Sequence, residues 1–119
     1  MYQYRAALVN VVDGDTLDLN IDLGLEVHLM TRVRLAGLNA PEKNTSEGLI
    51  AQTFVHMWMS DFANGGDLTI TTVKDRKEKF GRYLVYVHPF TTLGVPKSLN
   101  QALIEGGHAL SWDGRGKRP

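Results

Sequence analysis

Between Thr16 and Leu23 the chain alternates strictly, with Leu17, Leu19, Ile21 and Leu23 set against Thr16, Asp18, Asn20 and Asp22. A period of two sends one set to a buried face and the other to water, so this segment predicts a half-buried strand. Upstream, Tyr4 to Val12 is β-rich and is separated from it by an Asp-Gly pair. Downstream, Gly24 in "DLGL" supplies a tight turn. Val27, Leu29, Thr31, Val33 and Leu35 then alternate with His28, Met30, Arg32 and Arg34 in a third strand. Three consecutive strands predict a meander.

The pattern breaks in "GLNAPEKNTSEG", whose Gly37, Pro41 and Gly48 read as a loop. In "LIAQTFVHMWMSDFANGG" the period changes: Leu49, Phe54, Val55, Met57, Trp58 and Phe62 suit the core face of a helix ended by Asn64, Gly65 and Gly66. Two further strands, "DLTITTV" and "RYLVYVHP", flank the charged connector "KDRKEKFG". Pro89 closes the second of them, and Ser98 or Asn100 caps a short helix, "LNQALIEGG". The order is strand, strand, strand, helix, strand, strand, helix. It predicts an α+β, mainly β fold: a five-stranded oligonucleotide-binding (OB-fold) barrel with a helix inserted after strand 3 and a short C-terminal helix. A ferredoxin-like sandwich needs a helix after its first strand, where none is readable.

Length, 119 residues, fits one domain over 1–112 followed by a basic, flexible tail at 113–119. There is no cysteine, which excludes disulfides and thiolate metal sites. No apolar run reaches signal or membrane-spanning length, so a cytoplasmic monomer with no membrane association is expected. The zero net charge conceals a division: residues 1–67 carry 9 acids and 4 bases, and residues 68–119 carry 4 acids and 9 bases. Acidic and basic segments set against each other suggest a cation and an anionic ligand rather than a general nucleic-acid coat.

"VVDGDTLDLN" places Asp13, Asp15 and Asp18 within one apolar-patterned stretch, which raises the question of what cancels their charge. Asp15 begins the second predicted strand, and Asn39 and Glu42 follow the third, so antiparallel pairing brings these ends together. Two bare carboxylates about 4 Å apart repel by about 1 kcal/mol in water and about 4 kcal/mol at an effective dielectric of 20. A hard cation removes that repulsion, and oxygen-only ligands suit calcium or magnesium rather than zinc. Taken alone, "DGDT" also reads as an ordinary hairpin turn. The four histidines show no metal-ligand spacing, and there is no nucleophile elbow or phosphate-cradling glycine loop.

Read together, "VDGDT" (12–16), "VRLAGLNAPE" (33–42) and "KFGRYLVYV" (79–87) resemble the thermonuclease, or staphylococcal nuclease-like, family. The resemblance runs from about Val9 through "SLNQALIEGG" with the motifs in the family's order. It implies an OB-fold hydrolase, a calcium-dependent endonuclease of low specificity that cleaves phosphodiesters of DNA and RNA and leaves 3′-phosphates, with magnesium as the other candidate cation. It implies that Asp15 is a direct metal ligand and that Ala40 lends its backbone carbonyl. Asn39 stands where the family has an aspartate, which predicts weaker metal binding. It further implies that Glu42 orients or deprotonates the attacking water, that Arg34 and Arg82 grip the phosphate, and that Lys79 assists in substrate binding.

Guanidinium suits that task, being planar, always charged and bidentate. The basic run "KDRKEK" collects flanking phosphates on this reading, so binding falls steeply with salt. Trp112 is the candidate surface for stacking a base of single-stranded or frayed nucleic acid. No protein partner is expected. The alternative is an OB-fold nucleic-acid-binding module without catalysis, with Asn39 as its first step of decay.

Overall fold

The computed structural model describes residues 2–63, 67–77, 82–89 and 98–112. The first three strands, β1 (Tyr2–Asp13), β2 (Thr16–Asp22) and β3 (His28–Leu35), form the expected meander. They are followed by a two-residue strand β4 (Leu38–Asn39), helix α1 (Ser46–Phe62), β5 (Asp67–Lys77), β6 (Tyr83–His88), helix α2 (Leu99–Glu105) and a short β7 (Leu110–Ser111). The five long strands close into a barrel in the order β1-β2-β3-β6-β5. All neighbours are antiparallel except β3 and β6, where Val33, Arg34 and Leu35 pair in parallel with Tyr83, Leu84 and Val85. The architecture is thus an OB-like α+β barrel with a helix after its third strand. No helix among the described residues is long and apolar enough to cross a membrane.

The alternation read from the sequence fills the interior: Leu17, Leu19, Ile21, Val33, Leu35, Leu68, Ile70, Val85 and Val87 are buried together. Helix α1 starts earlier than the apolar run suggested. Thr45 caps it, its hydroxyl accepting from the Gly48 N–H at 3.0 Å, which satisfies one of the four donors a helix start leaves open. Gln52 ties α1 to the end of β1 by donating to the Val11 and Val12 carbonyls at 3.2 and 3.3 Å. At α2 the choice resolves to Ser98 as cap. Asn100 instead sits buried, accepting from the Val87 N–H and donating to the Ala36 and Val85 carbonyls.

The core face of α1 differs from the expected one. Its buried residues are Gly48, Ala51, Val55, Trp58 and Met59, whereas Leu49 and Met57 are exposed. Apolar residues lie around most of this helix, so periodicity does not choose a face. The barrel end does, because burying a Val or Leu fully is worth about 1.5–3 kcal/mol. The short ribbon of β4 and β7, which pairs Leu38 with Ser111 and Asn39 with Leu110, joins the segment read as a loop to the residues between the second helix and the tail, where no strand was expected.

Candidate active site

Asp13, Gly14, Asp15 and Thr16 form the tight link between β1 and β2, with Asp13 opposite Thr16. Gly14 is needed there because a Cβ would stand 2.8 Å from the Ala51 Cβ and 3.1 Å from the Ala40 Cβ. The turn is thereby pressed between α1 and the loop after β4. The Asp15 carbonyl accepts from the Leu35 N–H at 2.8 Å, which fixes the turn against β3.

Asp15 is 5% exposed, and its carboxylate is held from three sides. Oδ1 accepts from the Thr16 hydroxyl at 3.0 Å, while Oδ2 accepts from the Ala40 N–H at 3.0 Å and from Arg34 Nη2 at 3.3 Å. Arg34 Nη2 also donates to Asn39 Oδ1 at 2.8 Å. Arg34 sits opposite Thr16 in the β2–β3 register, on the strand face turned away from Val33 and Leu35. The alternation suggested a solvated polar face, yet Arg34 is 3% exposed, because Asp15, Asn39 and the Trp112 ring cover it. The Trp112 ring centroid lies 5.4 Å from its Cζ.

Of the three carboxylates of "VVDGDTLDLN", two are therefore matched by a guanidinium. Arg34 neutralises Asp15. Asp18 takes Arg32 Nε at 2.8 Å and Nη2 at 3.3 Å, and this bond to Arg32 holds the Asp18 carboxyl below its usual range. Asp13 accepts from the Lys43 N–H at 3.2 Å.

Around this cluster a cleft of about 320 Å³ is lined by Asp13, Asp15, Thr16, Arg34, Ala40, Pro41, Glu42, Lys43, Asn44 and Arg82. Five of the expected site residues, Asp15, Arg34, Ala40, Glu42 and Arg82, thus meet in one place. The parallel pairing of β6 with β3 accounts for Arg82, which immediately precedes Tyr83, the partner of Val33. Glu42 is exposed at the cleft wall, and its own carbonyl accepts from the Thr45 N–H and hydroxyl at 3.0 and 2.7 Å. Asn39 and Trp112 stand behind Arg34 as supports. Lys79 lies outside the described residues, as do the tail at 113–119 and the glycines expected to end α1. Sequence reasoning passed over Thr16 and Asp13 as site residues; their signal was only their place beside Asp15 in the same turn.

By chemistry, the donors lining the cleft are oxygen atoms, the Asp15 and Asp13 carboxylates and the Ala40 carbonyl, while Asn39 Oδ1 lies behind them and already accepts from Arg34. Such a set fits a hard cation. Among the described residues no three acidic, histidine or cysteine side chains converge to hold one by themselves. Asp15 also already accepts three of the roughly four bonds a carboxylate takes. The fit is thus to a cation completed by water and substrate oxygens, not to a protein cage.

Elsewhere, His88 meets Thr71 Oγ1 through Nε2 at 3.0 Å, and burial pushes its imidazole below the ordinary value. The chain matches no known family model, and no curated protein sequence matches it closely enough to count as a relative.

Proposed function

We propose that this chain is a metal-dependent endonuclease of low sequence specificity acting on phosphodiesters of DNA or RNA. The observation that carries the reading is the cleft that collects Glu42, Arg34, Arg82 and Asp15 from four separate places in the sequence. An exposed carboxylate lining the same cleft as two guanidinium-bearing residues suits attack on a bound anion. Glu42 takes a proton from a water molecule, and that water attacks phosphorus in line. Charge then builds on the phosphoryl oxygens, where Arg34 and Arg82 oppose it. Arg34 spends Nη2 on Asp15 and Asn39, while its Nε and Nη1 groups have no bond to a described residue. Those N–H groups are the ones left for the anion. Because the Arg34 side chain is already fixed, little reorganisation accompanies the reaction, and preset donors contribute most to catalysis. Cleavage of the bond to the 5′-oxygen leaves a 3′-phosphate. A hard divalent cation, calcium or magnesium, held by Asp15, Asn39 and the Ala40 carbonyl, would neutralise phosphate charge and acidify water.

A second reading, a nucleic-acid-binding barrel without catalysis, draws on the Asp15 carboxylate being saturated largely by protein donors. One experiment separates the two. Purified protein is incubated with plasmid and with denatured DNA, in calcium, in magnesium and in chelator. Degradation that stops with chelator and in Glu42→Gln or Arg82→Ala supports the enzyme. Binding without cutting under every metal condition supports the module.

A further inference from the structure

The last described residues of the chain return to the cleft. Strand β7 pairs with β4, and beyond it the Trp112 N–H donates to the Gly37 carbonyl at 2.9 Å. Three backbone anchors therefore fix the segment Leu110 to Trp112 against the turn and strand spanning Gly37, Leu38 and Asn39. The same ribbon bears on Arg34 twice. Asn39 Oδ1 takes the guanidinium at its edge, at 2.8 Å from Nη2, and the Trp112 ring lies over it, with 5.4 Å from Cζ to the ring centroid.

We infer that Trp112 is a positioning residue for Arg34, and that the β4–β7 ribbon is a clasp presenting this one guanidinium to the cleft. The inference rests on the nuclease reading for its kinetic consequence but not for the contact itself. An arginine is a long side chain with much rotamer freedom, and two bonds through a single nitrogen leave it able to swing about that nitrogen. A ring across its face removes that motion. The indole also carries negative charge density on its face, so it stabilises the cation without competing for the N–H groups the phosphate needs. A second carboxylate in its place would hold Arg34 as firmly but would oppose an anion in the cleft. This assignment differs from the base-stacking role expected of Trp112, since the ring is already engaged with Arg34.

The two roles predict opposite kinetics. Trp112→Leu keeps apolar bulk and removes the π face. If Trp112 positions Arg34, kcat falls about tenfold to a hundredfold with little change in KM, because a guanidinium displaced by an ångström fails chiefly in the transition state. Trp112→Phe restores part of the rate. If Trp112 stacks a base, KM rises and kcat stands, and the inference is overturned.

A readout independent of cleavage uses urea unfolding of wild type, Trp112→Leu, Arg34→Lys and the double variant. Arg34→Lys keeps a charge beside Asp15 but removes the planar guanidinium over which the indole lies, replacing it with a shorter ammonium. The expected coupling is about fivefold to thirtyfold in the unfolding equilibrium constant, as for a desolvated cation on an aromatic face. Additive effects overturn the contact. A wild type that cuts nothing yet shows the coupling sinks the nuclease reading and leaves the clasp standing.

Discussion

Gly48 offers the sharpest test of how the cleft is built. It occupies the first turn of α1, and a Cβ there would lie 1.6 Å from the Glu42 carbonyl oxygen, 2.3 Å from its carbonyl carbon and 2.9 Å from the Lys43 Cα. Backbone cannot rotate away as a side-chain tip does. To reach even a tight 3.0 Å contact, the loop bearing Glu42 must retreat by about 1.4 Å, still short of the optimal separation. That retreat pulls the Glu42 carbonyl from both its donors, the Thr45 N–H and hydroxyl. Helix propensity alone says Gly48→Ala stabilises by about 0.8–1.0 kcal/mol. Overpacking against fixed backbone costs about 1–3 kcal/mol and wins. We expect a net loss of up to about 2 kcal/mol, read as a lower urea midpoint with an unchanged m-value. If Glu42 is the base of the proposed nuclease, displacing it by about an ångström costs on the order of a hundredfold in rate, so plasmid cleavage at saturating substrate should fall by that factor. A Gly48→Ala protein that is more stable than wild type and cuts as fast would refute the argument that this glycine sets the place of Glu42.

Three further outcomes are expected. On the proposed nuclease reading, Asn39→Asp supplies the charge that the resemblance to thermonucleases implies, so the calcium needed for half-maximal activity should drop; an unchanged requirement would remove Asn39 from the proposed ligand set. Leu25 and Glu26 adopt φ of 55° and 64° at the β2–β3 turn, and Leu25 is 98% exposed. A side chain with no contacts in a left-handed conformation costs about 1–2 kcal/mol, so Leu25→Gly should raise the thermal midpoint, and no change would show the turn relaxes without strain. Burial lowers the His88 pKa below its ordinary value, so between that lowered value and about 6.5 the unfolded chain binds the proton that the folded protein declines. Stability should therefore decline as pH falls from about 6.5 through the folded pKa and then level off. His88→Asn should flatten that segment of the urea-midpoint curve, and an identical slope in the variant would assign it to another group.

The structure gives the acidic stretch a simple electrostatic sense. Each carboxylate meets a different donor set, and burial grades the consequence. The Asp18–Arg32 pair is partly solvated, so salt screens it and it contributes little. The Asp15–Arg34 pair is buried, and losing either partner leaves an uncompensated charge, a defect of about 3–5 kcal/mol. Substitutions of Arg34 will therefore mix folding with function, which is why Glu42 and Arg82 at the cleft wall are the cleaner probes of chemistry.

Much of this was legible in the chain. Period-two alternation set the inward face of β2 through Ile21 and of the last residues of β3, because side-chain direction in a strand is a local property. Leu23, Val27 and Leu29 continue the same alternation around the β2–β3 turn but are exposed, because no described residue covers that end of the hairpin. The change to helical spacing after Gly48, the turn at Asp13-Gly14 and the three motifs placed the helix and the candidate residues. What only the tertiary structure decided depends on which distant surfaces cover each other. Leu49 and Met57 are as apolar as Val55 and Trp58, and only the barrel end selects between them. Arg34 alternates with Val33 and Leu35 as a solvated residue would, and it is buried because Asp15, Asn39 and Trp112 close over it. The parallel closure of β6 on β3, which brings Arg82 to the cleft, and the β4–β7 clasp join residues more than forty positions apart. No local pattern encodes such pairings; the gain from burying both partners at once does.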